Sequence, residues 1–252
     1  IETLLDRELV SLGDLSKSTV GMFFVPKRDG RLRLIFDTRL ANTYFIKPEH
    51  TDLATAAAFA NIESMPGKPI YICQADLDNA FYHMLLPPGL SEYFVLPKVN
   101  CKFFSKSSKW YHPTAVFSPK LRVLPMGWNW ALHFCQSTLE GCMRKAGLNE
   151  IDALRDHRSA RALGKDDIRH AGYVDNFCAI SHNKEAAIAS IDRVVEIASN
   201  NGLRVHPRSD PEEDQKFIGL HFDVSKGQIS ASCNRVWKIR LALKHLFKRG
   251  YA

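Results

Sequence analysis

Ile70-Tyr71-Ile72-Cys73-Gln74-Ala75-Asp76 is a short apolar run that ends on a carboxylate. Its length and content predict a buried strand with Asp76 at its end. Much further on, Tyr173-Val174-Asp175-Asn176 marks the bend between two more strand-like runs. Residues 129 to 145 read as a helix, with Trp130, Phe134 and Ser137 to Leu139 at helical spacing and Gly147 as the C-terminal cap. Asn183 caps another helix that reaches about Asn201. Its inner face would be Ile188, Ile191, Val195, Ile197 and Ala198, with Gly202 behind it. Strands are predicted at 203–206 and 215–224, and a turn at Ser225-Lys226-Gly227 leads to another. From Tyr71 onward the order is strand, hairpin-like excursion, helix, two strands, helix, strand. That is the β-α-β-β-α-β arrangement of a ferredoxin-like sheet. Such a sheet can bring the end of its first strand beside the bend of its central hairpin, so Asp76 and Asp175 can meet.

Working outward, residues 20 to 36 read as two strands with a turn at Lys27-Arg28-Asp29-Gly30. The Ala-rich stretch 51–64 reads as a helix ended by Gly67. Residues 93 to 124 alternate between strand-like runs and breaks at Pro or at Lys and Ser. Residues 152 to 170 are dense in charge and read as an exposed loop. Near the end, Val236, Ile239, Leu243, Leu246 and Phe247 fall on one helical face, and Arg235, Lys238, Arg240, Lys244, Lys248 and Arg249 cover much of the rest. That pattern suits a helix riding on phosphates, and equally a surface helix with a solvated face.

The chain has 252 residues, 45% of them hydrophobic, enough for one large domain or two coupled lobes. Its charged fraction, 24%, is ordinary for a soluble protein. The net charge of +7 and a pI near 9.1 fit a polyanionic partner such as nucleic acid, and also fit a basic protein with none. Six cysteines, at 73, 101, 135, 142, 178 and 233, form no C-x-x-C pair. They read as reduced core thiols, which favours an intracellular setting, cytoplasmic or nuclear. The longest apolar runs, such as Met22 to Val25, are far too short to cross a bilayer, and no signal peptide is visible, so no membrane partner is expected. The chain starts on Ile1 and ends inside a predicted helix, as a piece of something longer would.

Five stretches, in order, resemble the motifs of reverse transcriptases. Val25-Pro26-Lys27-Arg28-Asp29-Gly30-Arg31-Leu32-Arg33-Leu34-Ile35-Phe36-Asp37, extended by Arg39 and Asn42, resembles the fingers motif. Gln74 to Tyr82, with Asp76 and Phe81, resembles motif A. Leu124-Pro125-Met126-Gly127-Trp128-Asn129-Trp130-Ala131, with Gln136 following, resembles motif B. Tyr173-Val174-Asp175-Asn176 resembles the motif C box, and Phe217-Ile218-Gly219-Leu220 the primer grip. Any one of these is weak, but five in the right order and rough spacing are specific.

The resemblance implies an α+β fold: polymerase fingers, a ferredoxin-like palm and only the start of a thumb. The catalytic domain would cover 20–225, with fingers at about 1–70 and 88–121, palm at about 71–87 and 122–229, and thumb from 230 to 252. It implies an RNA-directed DNA polymerase of a retroelement that transfers nucleotides from dNTPs to the 3′-hydroxyl of a primer on an RNA or DNA template, with Mg²⁺ or Mn²⁺ as cofactor. Two such ions activate the hydroxyl and stabilise the leaving pyrophosphate. Asp76 and Asp175 would be the main metal ligands, with the Leu77 carbonyl adding another. Lys27 and Arg33 would hold the triphosphate. Phe81 would lie where a 2′-hydroxyl would sit and so select deoxynucleotides. Met126 and Gly127 would lie against the base pair and template. Phe217, Ile218, Gly219 and Leu220 would hold the primer terminus.

Each residue has a plainer reading. An Asp at a strand end is usually a cap or a solvated charge, and Lys27 sits in a turn. An inward Arg33 needs an anionic partner of any kind. Phe81 could be core, and residues 217–220 an ordinary strand with a Gly bulge. One position departs from the family pattern: Asn176 stands where motif C usually has a second Asp. Asn brings one carbonyl oxygen and no charge, so metal affinity should fall. That raises a second reading, a decayed or domesticated palm serving as a nucleic-acid scaffold. An RNA polymerase is disfavoured, because Phe81 cannot accept a hydrogen bond from a 2′-hydroxyl.

Overall fold

Tyr71–Asp76 is an outer strand of a three-stranded antiparallel sheet, with Asn176–Ser181 in the centre and Arg169–Tyr173 on the far side. The computed structural model describes residues 1–13, 16–26, 30–87, 89–212 and 214–250. It divides into two compact units, Ile1–His50 with Asn79–Ser137, and Thr51–Asp78 with Thr138–Ala252. The architecture is mixed α/β.

The sheet belongs to the second unit. Its central strand is buried from Phe177 to Ser181, as a strand covered on both faces must be. The helix Lys184–Asn200 packs on Tyr71–Asp76 and Asn176–Ser181. Its cap is the one expected: the Asn183 side chain accepts from the Ala186 amide at 3.1 Å. Its inner face is rotated from the expected one. Ala187, Ser190, Ile191, Val194 and Ala198 are buried, while Ile188, Val195 and Ile197 are only half-buried. Small side chains let the helix backbone lie close to the sheet, and a reading that counts only large apolar residues misses them.

Four further expectations need correction in this unit. The helix read over 51–64 is only Ala56–Ala60, started by a hydrogen bond from the Ala58 amide to Thr55 Oγ1 at 3.4 Å. Thr51–Asp78 falls in the sheet's unit rather than with the N-terminal residues. The reason is packing: Phe59 meets Phe217 and Phe222 with ring centroids 5.9 and 5.7 Å apart, in a core shared with Ala54, Ile70, Ile72 and Ile180. The strand read at 203–206 is reduced to two isolated antiparallel bridges on the free edge of Tyr71–Asp76, Leu77 to Val205 and Gln74 to Ser209. Pro207 lies between the bridges, cannot donate to a ladder, and coincides with a one-residue slip in register. The strand read at 215–224 is a hairpin, Asp214–Phe217 against Leu220–Asp223, extended by Gln228–Ala231.

The segment read as an exposed loop, 152–170, lacks regular structure over most of its length but is anchored. Leu154 and Leu163 are buried, and so is Arg169. The Arg169 guanidinium donates to the carbonyls of Arg161, Ala162 and Ile168 and to the carboxylates of Asp152 and Asp167, which uses all five of its N–H groups. The helix Cys233–Lys248 has no buried residue among those described; Trp237 and Phe247 are exposed along with the expected cations.

In the first unit, Val10–Gly13, Val116–Leu121 and Val99–Asn100 form an antiparallel sheet, and Gly21–Pro26 pairs with Leu32–Asp37 as a hairpin. The core centres on aromatic rings. Phe45 stacks on Phe94 at 5.9 Å, and Trp128 meets both edge-on at 5.2 Å. Five of the six cysteines are buried and Cys233 is exposed. Among the described residues no helix is long and apolar enough to cross a membrane.

Candidate functional site

Asp76 is the last residue of its strand and pairs in register with Asn176. The Leu77 amide then donates to the Asp175 carbonyl at 2.8 Å. These two contacts set the strand end against the bend of the neighbouring hairpin. The bend is a two-residue turn, Val174-Asp175, closed by the pair Tyr173 and Asn176. Val174 has φ +63° and Asp175 does not have a positive φ. That pattern belongs to type II′ turns, where glycine is the usual first central residue. A β-branched residue held there is strained by about 1–3 kcal/mol, and such strain persists where the surroundings impose it.

The expected meeting of Asp76 and Asp175 is therefore what the sheet delivers. Burial pushes the Asp76 carboxyl above its ordinary range; the neighbouring charges of Asp175 and Asp78 push the same way, and His206 opposes them. Asp76 Oδ1 is buried and has no hydrogen-bond partner. The Asn176 side chain donates from Nδ2 to Asp175 Oδ1 at 2.8 Å. Asp78 is already engaged: Arg204 Nε and His206 Nε2 lie 3.3 Å from its two carboxylate oxygens. The backbones interlock as well, through His206 N to Asp76 O at 2.9 Å and Asp78 N to Arg204 O at 2.8 Å.

Sequence reasoning gave no role to Asp78, Arg204 or His206. The one available signal was the predicted strand at 203–206, whose pairing with the first strand would bring them here. The donors next to the orphaned oxygen are all oxygens, and an acceptor without a proton donor suits a hard divalent cation. No group of three or more His, Cys, Asp or Glu side chains among the described residues is set to hold one ion. Magnesium sites commonly use only one or two carboxylates from the protein.

The primer-grip candidates form the second turn of this unit. Phe217 and Leu220 are buried and paired, and Ile218 and Gly219 have φ +42° and +83° between them. Two positive φ values in a two-residue loop mark a type I′ turn, not a bulged strand. A Cβ on Gly219 would meet Arg235 Nη1 at 3.0 Å, and Ser232 N donates to the Gly219 carbonyl at 3.1 Å. Gln74 Nε2 donates to Gln215 Oε1 at 3.0 Å, tying this hairpin to the strand that ends in Asp76.

The remaining candidates lie in the first unit. Lys27 is outside the described residues. Arg33 is exposed on its hairpin, not turned inward as the sequence suggested, because the outer half of that hairpin projects from the core with Phe24 and Leu32 also exposed. Its charge partly offsets the burial that raises the Tyr82 phenol. Phe81 is half-buried in the helical turn Ala80–His83 and packs against the unit's core. Met126 is 37% exposed. Gly127 has φ +110°, and a Cβ there would meet Thr38 Oγ1 at 3.0 Å and the Phe36 carbonyl at 3.3 Å, so glycine is required twice over. Asn42 brackets it, donating to the Gly127 carbonyl and accepting from the Asn129 amide, both at 3.0 Å.

Comparison with known proteins places this geometry. Solved structures of a foamy viral protease-reverse transcriptase in complex with double-stranded DNA resemble the chain at TM-scores of 0.66 and 0.65 and 13% identity. They cover 94% of this chain and 34% and 41% of theirs. The native Prototype Foamy Virus protease-reverse transcriptase follows at TM-score 0.57 and 16% identity, covering 91% of this chain and 25% of that one. The chain thus spans well under half of these proteins, and at such identity the likeness speaks for the fold alone. No curated protein sequence matches the chain significantly. A family model described as reverse transcriptase (RNA-dependent DNA polymerase) matches residues 25–208, well over half of the chain, and the chain therefore belongs to the reverse transcriptase family.

Proposed function

We propose that this chain is the fingers and palm of an RNA-directed DNA polymerase, with Thr51–Asp78 and the sheet unit supplying the palm and Cys233–Lys248 beginning a thumb. The observation that carries the reading is the buried, unpartnered Asp76 Oδ1 beside Asp175 at a strand end and a strained turn. Two divalent cations, Mg²⁺ or Mn²⁺, would supply activation of the primer 3′-hydroxyl and neutralisation of the departing pyrophosphate when bound. Asp76 and Asp175 would hold them, with the Leu77 carbonyl. Asn176 fixes the Asp175 carboxylate in place through Nδ2. Asp78 would stay outside the ligand set, because Arg204 and His206 occupy it.

In the other unit, Lys27 and Arg33 would bind the triphosphate, whose charge an exposed guanidinium can meet. Phe81 would press on the sugar, supported by the core behind it. Met126 and the Cβ-free Gly127 would leave room for the base pair and template strand. Phe217 to Leu220 would hold the primer end on a tight turn.

Asn176 also supports a second reading, a nucleic-acid scaffold without catalysis. Its amide takes one acceptor site of Asp175, so it both lacks a charge and competes with a cation for that oxygen. Primer extension on an RNA template with dNTPs and Mg²⁺ or Mn²⁺ separates the two. Extension is the expected result; binding of primer and template without extension, in the native chain and in Asn176→Asp, would favour the scaffold. Phe81→Ala should raise ribonucleotide use relative to deoxynucleotide in the same assay.

A further inference from the structure

Residues 93 to 139 contain no Asp or Glu, although the chain carries 27 acidic residues. The run holds Lys98, Lys102, Lys106, Lys109, Lys120 and Arg122. The first four fall within residues 98–109, all of them exposed. Aromatic side chains interleave with them. Phe103 is 78% exposed, with Lys102 Nζ 5.0 Å from its ring centre. Lys109 Nζ lies 4.8 Å from the Trp110 ring.

The backbone beneath these side chains is organised. Asn100 accepts from the Lys102 amide at 3.1 Å to start the turn Cys101–Phe103, and Ser108 Oγ accepts from the Trp110 amide at 3.2 Å. Two acids of the neighbouring helix Glu2–Asp6 approach this stretch. Glu2 Oε2 accepts from the Ser105 amide at 3.3 Å, and Asp6 Oδ1 from the Trp110 indole at 2.9 Å. Both serve to hold the stretch in shape, and the four lysines outnumber them.

A large ring left in water among like charges is a poor arrangement for stability and a good one for an unpaired nucleotide. The ring offers a face on which a base can stack, and the ammonium groups meet the phosphates on either side. A duplex hides its base faces, so it would use the lysines and leave the ring idle. We propose that the face formed by residues 98–110 binds single-stranded nucleic acid, stacking a base on Phe103 and holding phosphates on Lys102, Lys106 and Lys109. This inference rests on the polymerase reading, to which it adds a surface that holds the unpaired strand.

The test is fluorescence anisotropy on the full chain without dNTPs or metal. The probes are a labelled single-stranded RNA of about 12 nucleotides, within the usual site size, and a blunt duplex of the same sequence. Phe103→Ala should weaken single-strand binding roughly tenfold, as loss of one stacking platform does, and leave duplex binding within about twofold. Phe103→Trp should restore it. Lys102→Gln, Lys106→Gln and Lys109→Gln combined should lower the slope of log affinity against log salt by about two. Single-strand binding that ignores both changes would overturn the proposal and point instead to an acidic protein partner; equal losses on duplex would overturn the single-strand preference. Failed primer extension beside responsive binding would sink the polymerase reading alone. Intact extension with unresponsive binding would sink only this one.

Discussion

Two turns of the same unit solve one geometric problem in opposite ways. At Ile218-Gly219 both residues adopt positive φ, and glycine stands at one of them, as a relaxed type I′ turn wants. At Val174-Asp175 the positive φ falls on valine, a residue that resists it. The first turn is built for stability; the second gives up stability at the point where Asp175 must stand. The comparison teaches that strain here is local to the carboxylate pair rather than a general feature of the unit's loops.

The largest test of that contrast is chemical. Asp175→Asn should lower primer extension on the order of 10³-fold, the scale of losing one preorganised electrostatic contact, while template binding persists. Retained extension would mean that the strained turn presents nothing catalytic. Asn176→Asp replaces the amide that occupies Asp175 Oδ1 with a second carboxylate. Extension at low Mg²⁺ should rise about tenfold, the lower range of effects for groups that orient metal ligands; no rise at any concentration would place the defect elsewhere.

The relaxed turn should answer in stability instead. Gly219→Val puts a β-branched residue at φ +83° with Arg235 already at 3.0 Å, and should cost about 1–3 kcal/mol in urea unfolding. A cost near zero would show that this turn does not need glycine. Asp76→Asn should raise the melting temperature of the metal-free protein at neutral pH. Its folded carboxyl is held above the ordinary 3.8, so the fold disfavours the ionised form. That destabilisation is present above the raised value and fades as pH falls through it, so the gain should vanish in acid. A gain that is independent of pH would refute the linkage. The smallest effect is expected for Val174→Gly, where relief of strain and the added freedom of the unfolded chain nearly cancel, within about 1 kcal/mol. Extension should still fall, because a glycine no longer holds the carboxylate in one place.

The strand ending in Asp76, the bend at Asp175 and the Asn183 cap were all legible from hydrophobic runs and cap residues. What escaped had other causes. Ala187, Ser190 and Ala198 form the inner face of Lys184–Asn200, yet small side chains barely register in an apolar periodicity. Leu77 and Val205 meet through a bridge whose neighbours, Arg204 and His206, look like any polar residues until Asp78 is beside them. Gly127 was singled out, but its bracket, Asn42, acts across 85 positions, and no local pattern announces such a partner.

Arg169 has a consequence of its own for how the molecule opens. One side chain gathers the termini and the middle of a segment that has almost no ladder or helix to hold it. Such a segment does not fray residue by residue. It should stay closed to proteases until the guanidinium leaves, and then become cleavable along much of its length at once, a single hinge pin rather than a zip.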